Sequence, residues 1–201
     1  MFQTLPEAAR QPCRSNNRLR PLLDAGAQAF ARHGYAATTV RTIAAAASMT
    51  PGAIYVHFPS KQALLLAVYE EGVRRALRAV DAAVAPASDP WARLEAAVIA
   101  HLETILDGSD YAKVITQVLP DDVPDYADEL RALRDGYEAR IAGLVRDLRL
   151  PKRVDRRLFR LMLLSAINWV PVWYHPESGS VRTVGRAFVA MLRDSCSVRR
   201  A

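Results

Sequence analysis

An all-α fold is predicted by three features of this chain. Its 201 residues are 51% hydrophobic and rich in Ala, Leu and Arg, residues that favour helices. Apolar residues recur at i, i+3 and i+4, whereas strictly alternating runs are scarce. Prolines and capping residues recur at helix-length intervals and divide the chain into nine helical segments. The length suits one or two domains with a substantial buried core.

Residues 1–15 are polar and interrupted by proline, which reads as a mobile arm. The first helix is expected from about Asn17 to His33, with Leu19, Leu22, Leu23, Gly26, Ala27 and Phe30 on one face and Gly34 as its stop. The second spans about Thr39–Ala46 and the third Pro51–His57, separated by the short break Ser48-Met49-Thr50. Thr50 is placed to cap the third helix, and Pro51 suits its first position because that position has no amide to satisfy. Ser60 caps a long fourth helix, Lys61–Val84, whose apolar face is Leu64, Leu65, Val68, Val73, Leu77 and Val80. Asp89 and Pro90 start a fifth helix that ends near Gly108. The remaining four are expected at about 110–119, 124–149, 154–173 and 181–195, with Pro120, Pro124, Pro151 and Pro176 between them. Pro171 should kink or end the eighth near Trp169–Val170.

Two short helices across a tight turn form a helix-turn-helix, whose second helix lies in the DNA major groove. Here that helix is small at its start (Gly52, Ala53), so its backbone can approach base edges, and it carries Tyr55 and His57 farther along, with Lys61 just beyond. Charge points the same way. Residues 1–62 hold Arg10, Arg14, Arg18, Arg20, Arg32, Arg41 and Lys61 against Glu7 and Asp24, a net of +5 out of +6 for the whole chain. A local basic surface suits a polyanionic partner, although an Arg-rich, Ala-rich composition raises charge in other proteins too.

Other classes find little support. No segment approaches the roughly 18 apolar residues needed to span a bilayer, and the N-terminus lacks the apolar core of a secretion signal, so a cytoplasmic protein is expected. Cys13 and Cys196 lie in opposite terminal regions and read as free thiols rather than a disulfide or metal site. The chain lacks HExxH, GxSxG, Walker and CxxC motifs, and its four histidines (His33, His57, His101, His175) are dispersed. No enzymatic activity, metal or cofactor is therefore expected.

The residues Ala29-Phe30, Gly34-Tyr35, Thr38-Thr39-Val40, Ile43-Ala44, Ala47, Gly52, Ile54-Tyr55, His57-Phe58, Ser60-Lys61 and Leu64-Leu65 resemble the N-terminal domain of TetR-family transcriptional repressors over about 50 residues. The resemblance implies a nine-helix, TetR-like fold with a helix-turn-helix domain at 16–62 and an effector-binding and dimerisation domain at 63–201. It also implies a homodimer on a palindromic double-stranded DNA operator, released by a small molecule, without cofactor or membrane. Arg41 would contact a base or phosphate. Thr39, Tyr55, His57 and Lys61 would hold phosphates, and Thr50, Pro51, Gly52 and Ala53 would face bases. The alternatives are that Tyr55 packs inward and that His57 is only a surface residue. Ile54 and Phe58 read as core. Ser48 stands where the family usually has glycine, a substitution that costs stability if the turn needs positive φ.

In the C-terminal part, Leu158, Leu161, Met162, Trp169 and Val172 form one apolar stripe, and Val184, Phe188, Met191 and Leu192 another. Two such helices per chain suit a four-helix, twofold dimer contact, the alternative being burial within one subunit. The dimer interface is assigned to Leu158, Leu161, Met162, Trp169, Phe188 and Met191. The effector cavity is expected between the fourth helix and residues 91–174, lined by Trp91, Tyr111, Tyr137, Trp169 and Trp173. Ala166-Ile167-Asn168-Trp169 with Trp173-Tyr174-His175-Pro176 resembles TetR-type regulators of fatty-acid and steroid catabolism, which sense acyl-CoA thioesters, although Val172 replaces the frequent basic residue there. An acyl-CoA is the expected effector. Arg74, Arg75 and Arg78 either meet its phosphates or form a solvated face. A regulator of drug efflux sensing cationic or aromatic compounds is the second reading, favoured by several acidic groups in the pocket, and a helical adaptor without DNA binding is the third.

Overall fold

The structure is a computed structural model and describes residues 16–197, so the expected arm at 1–15, with Cys13, lies outside the described residues. The nine expected helices are present there, the eighth in two segments, and the described residues contain no strand. In order they are α1 (Asn16–Ala37), α2 (Val40–Ala46), α3 (Pro51–His57), α4 (Lys61–Val84), α5 (Pro90–Leu106), α6 (Asp110–Gln117), α7 (Ala127–Asp147), α8 (Arg156–Asn168), α9 (Val170–Trp173) and α10 (Val181–Ser197). None is long and apolar enough to cross a membrane.

The starts are set by side-chain caps. Thr39, Thr50, Ser60, Asp89, Ser109 and Asp155 each accept a hydrogen bond from an amide of the first turn, and Pro51 and Pro90 fill first positions. Gly34 (φ 72°, ψ 168°) breaks the helical path of α1, as a glycine stop should, and one more turn follows it. The seventh helix starts three residues later than predicted, because Pro124–Tyr126 winds as a tighter 3-10 turn, and it ends when Leu148 turns extended. The eighth breaks at Trp169 (ψ −9°), and Pro171, which has no amide to donate, sits inside the separate turn α9.

Two apolar cores organise the packing. The first joins α1, α2 and α3 to the front half of α4 and to α6, through Leu22, Phe30, Ile43, Ile54, Leu64, Leu65, Tyr69 and Val114. It runs across the expected division at residue 62. The second joins the back of α4 to α5, α7, α8 and α10, through Val80, Leu94, Leu102, Ile141, Phe159, Ile167 and Val189. α4 belongs to both. α6 crosses it so closely that a Cβ added at Gly72 would lie 2.6 Å from Ile115 Cγ2, a distance that only glycine relieves. The body also grips α1 directly. The Tyr111 hydroxyl on α6 donates to Asp24 on α1 at 2.9 Å, and the Arg75 guanidinium of α4 lies 3.8 Å from the Tyr111 ring centre.

Ser48, between α2 and α3, has φ 53° and is the one described non-glycine residue at positive φ. The left-handed conformation costs an L-residue about 1–2 kcal/mol, and glycine returns roughly half of that relief through its freer unfolded chain. Ser48→Gly should therefore raise stability by about 0.5–1 kcal/mol, a shift of about 1–3 °C in Tm. A lower Tm in thermal unfolding would contradict the strain assigned to this turn.

Candidate nucleic-acid interface and ligand cavity

The sequence Thr39–Lys61 builds an exposed surface from α2, α3 and the turns that flank them. Thr39 Oγ1 accepts from the Thr42 amide at 3.1 Å and shares a 2.8 Å contact with the Thr42 hydroxyl. Thr50 Oγ1 accepts from the Ala53 amide at 3.2 Å. Thr39, Arg41, Thr50, Pro51 and Gly52 are exposed, and Ala53 and His57 are half-buried. Ile54 is buried beneath them and Phe58 packs partly buried against the same core, as their sequence pattern suggests. Tyr55 is 53% exposed, so its ring is not packed inward, and its neighbour Val56 is 82% exposed. Gly52 has nothing within 4 Å of where a Cβ would stand. Internal packing therefore does not require a glycine there.

Lys61 has an internal task that sequence reasoning missed. Its ammonium donates to the carbonyls of Tyr35 (2.8 Å), Ala36 (3.4 Å) and Thr38 (2.9 Å), and it lies 4.2 Å from the Tyr35 ring centre. An ammonium has three N–H groups, so a direct phosphate bond would cost it one of these partners. Burial holds its pKa below the usual lysine value. Carbonyls left at the end of α1 need donors, but the one that meets them lies more than 20 residues farther along the chain.

A cavity that opens to solvent on one side lies between α4, α5, α6, α7 and α8 and measures about 80 Å³. Val73, Ala76, Ile105, Ile115 and Leu164 supply apolar walls; His101, Arg134, Tyr137, Glu138 and Asn168 supply polar ones. His101 is 5% exposed, with Nδ1 2.7 Å from the Tyr137 hydroxyl. Its Nε2 faces the Asn168 side chain without a hydrogen bond of good geometry, and Arg134 Nη1 is likewise buried without a partner. Burial lowers the His101 pKa to about 4, the Asn168 contact opposing the shift, and burial also raises the Tyr137 pKa. Both groups are neutral at pH 7.

Of the five aromatic residues expected here, Tyr137 lines the cavity. Tyr111 faces a separate, open groove with Leu19, Arg20, Leu23, Glu71, Arg74, Arg75 and Arg78, about 510 Å³. In that groove the nearly buried Glu71 pairs with all three α4 arginines, which are therefore less free than a sequence reading suggests. Trp91 packs edge-on against Phe159 and lines a surface groove beside Arg193. Trp169 and Trp173 are exposed because the break after Asn168 turns α9 onto the surface. The cavity residues missed from sequence, His101, Arg134 and Asn168, are polar groups on three different helices, and only the packing of the helices brings them together.

Most of the residues expected at a dimer contact are exposed. Leu158, Leu161, Met162, Trp169 and Met191 are exposed together with Val172 and Trp173, and Phe188 is half-buried edge-on against Trp173, with ring centres 6.2 Å apart. The described residues hold no group of three or more His, Cys, Asp or Glu arranged for a metal. Cys196 is a buried free thiol.

Comparison with known proteins agrees with this geometry. Residues 22–68 match the bacterial regulatory proteins of the tetR family, and residues 87–196 match the tetracyclin repressor-like C-terminal domain. The HTH-type transcriptional repressor KstR2 of Rhodococcus jostii (strain RHA1) is 31% identical over 198 residues, covering 94% of this chain and 96% of its own. FadR of Bacillus subtilis, solved in complex with stearoyl-CoA, superposes with a TM-score of 0.74 at 18% identity, over 90% of this chain and 99% of its own. AibR, solved in complex with isovaleryl coenzyme A and operator DNA, superposes with a TM-score of 0.72 at 22% identity, over 87% and 97%.

Because His101 binds its proton near pH 4 when folded and near 6.5 when unfolded, only the unfolded chain gains a proton between those values. Its stabilising contribution is full above pH 6.5 and is lost as pH falls toward 4. Going from pH 7 to pH 5 should cost about 2 kcal/mol at this site, from about 1.4 kcal/mol per pKa unit. His101→Gln should remove that part of the pH dependence in chemical denaturation. An equally steep loss of stability in the variant would assign it to other groups.

Proposed function

This chain belongs to the TetR family of DNA-binding transcriptional repressors, and on that premise we propose that it is a homodimer released from a palindromic operator by an acyl-CoA effector. The DNA-binding part is carried by one observation: α3 stands exposed on a capped turn, with a glycine that the protein's own packing does not need. Thr50, Pro51, Gly52 and Ala53 face the bases, and Arg41 adds a base or phosphate contact. Thr39, Tyr55 and His57 reach phosphates, and Lys61 adds charge while it holds the turn after α1. With few long polar groups on α3, direct readout is sparse, and apolar contact with thymine methyls by Pro51 and Ala53 shares the task with Arg41.

The dimer reading is supported by the exposed apolar face of α8, α9 and α10. Large exposed apolar patches mark interaction sites, and a face built from two antiparallel-compatible helices is self-complementary about a twofold axis. The acyl-CoA reading is supported by the cavity. It is apolar on most sides and contains an arginine, and its one carboxylate, Glu138, is 3.6 Å from Arg160. A cationic drug would find a single, already paired acid there, so efflux control is the weaker reading. Two proteins of the same fold bind acyl-CoA thioesters; at their low identity they speak for the fold, and the cavity residues carry the argument for this chain.

Titration of operator duplex against salt tests the regulator. Each neutralised phosphate adds roughly −0.9 to the slope of log K against log salt. Arg41→Ala should make the slope shallower by about 0.9 and relax preference at one or two base pairs, while Tyr55→Phe should weaken all sequences alike. A flat salt dependence in the unmodified protein would contradict DNA binding. Met162→Glu places a charge on the exposed apolar face without disturbing a core; it should sediment as a folded monomer with weakened operator binding. A dimeric variant with full affinity would move the interface elsewhere.

A further inference from the structure

The cavity is informative in its size as well as in its unmatched polar atoms. About 80 Å³ is available. A single water needs about 10–15 Å³ on this measure, so the enclosed part holds about five to eight water-sized groups, and one side opens to solvent. Its polar end is incomplete. Arg134 Nη1 is buried without a hydrogen-bond partner, and His101 Nε2 has only the poorly aligned Asn168 side chain beside it; a buried unpaired donor costs about 1–3 kcal/mol. The Tyr137 hydroxyl and His101 Nδ1 share one hydrogen bond at 2.7 Å; with the hydroxyl donating, Nε2 carries hydrogen. Both nitrogens are then donors on the lining of one cavity, where an acceptor oxygen would satisfy them. Glu138, the acidic group on the lining, is already close to Arg160.

We infer that the cavity takes a short acyl group, about four to six carbons long, whose carbonyl or carboxylate oxygen is received by Arg134 and His101. Val73, Ala76, Ile115 and Leu164 contact the chain. The inference rests on the effector reading above and narrows it from acyl-CoA thioesters in general to a short acyl chain. A sixteen-carbon chain has about two to three times the groups the enclosed space holds. The same oxygen is offered by a thioester and by a free acid, so the two sources are separated by experiment.

Calorimetric titration of the full-length protein with four-, five- and six-carbon acyl-CoAs, sixteen-carbon acyl-CoA, CoA alone and the free five-carbon acid is the test. The short thioesters, or the free acid, should bind at least tenfold more tightly than the sixteen-carbon thioester and CoA. Tighter thioester binding identifies the thioester as ligand; equal or tighter free-acid binding identifies the carboxylate. Arg134→Met should weaken five-carbon binding at least tenfold. Ala76→Leu, which narrows the apolar wall and leaves the polar end intact, should move the optimum to a shorter chain. A preference for sixteen carbons, unchanged affinity in Arg134→Met, or an unchanged chain-length profile in Ala76→Leu would each overturn the inference. Operator binding by the ligand-free protein is measured separately, so a protein that binds operator but takes no short acyl group fails this inference and leaves the regulator standing.

Discussion

The rest of the structure depends on the continuity of α4. It is 24 residues long, about 36 Å at the helical rise, and starts at the Ser60 cap within the DNA-binding domain. Leu64, Leu65, Val68 and Tyr69 lie in the first core and Val80 and Val84 in the second, so neither core moves without it. The Gly72 crossing locks α6 to its middle, and α6 holds Asp24 of α1 through Tyr111. The cavity borders both helices, through Tyr69, Val73 and Ala76 on α4 and Ile115 and Thr116 on α6. On the proposed reading, a ligand there would act on two connections to the reading head at once.

Magnitudes decide whether so small a site is enough. Moving a two-state equilibrium from mostly bound to mostly free takes about 5.5 kcal/mol of differential affinity. Five buried methylene-sized groups supply about 4 kcal/mol at roughly 0.8 each. A short chain alone therefore falls somewhat short. Satisfying one or two buried donors at about 1–3 kcal/mol each closes the gap, which gives the polar end of the cavity a reason to exist.

Much of this was legible in the sequence because it is local. Caps at Thr50, Ser60 and Asp89, the stop at Gly34 and the break before Pro171 each follow from a few adjacent residues, and the strained turn at Ser48 follows from the resemblance, which has glycine there. The resemblance likewise set Ile54 and Phe58, which face the core, apart from exposed Tyr55. What the sequence concealed is long-range. Lys61 finds the carbonyls of Tyr35 and Thr38 more than 20 residues away. His101, Arg134 and Asn168 meet at one cavity from three helices. Aromatic content misled for the same reason: Trp169 and Trp173 look like cavity residues in a list of large side chains, and a change of helix direction at Trp169 leaves both exposed.

The central claim is that occupancy of the cavity is transmitted along α4 to the spacing of two recognition helices. The most direct measurement is pulsed electron–electron distance between spin labels at Val56, exposed on α3, in the dimer with and without a saturating five-carbon acyl-CoA. The account predicts a ligand-free population that includes separations matching one turn of DNA, about 34–36 Å, and a shift away from it on binding. Operator release by the same ligand with an unchanged distance distribution would contradict it.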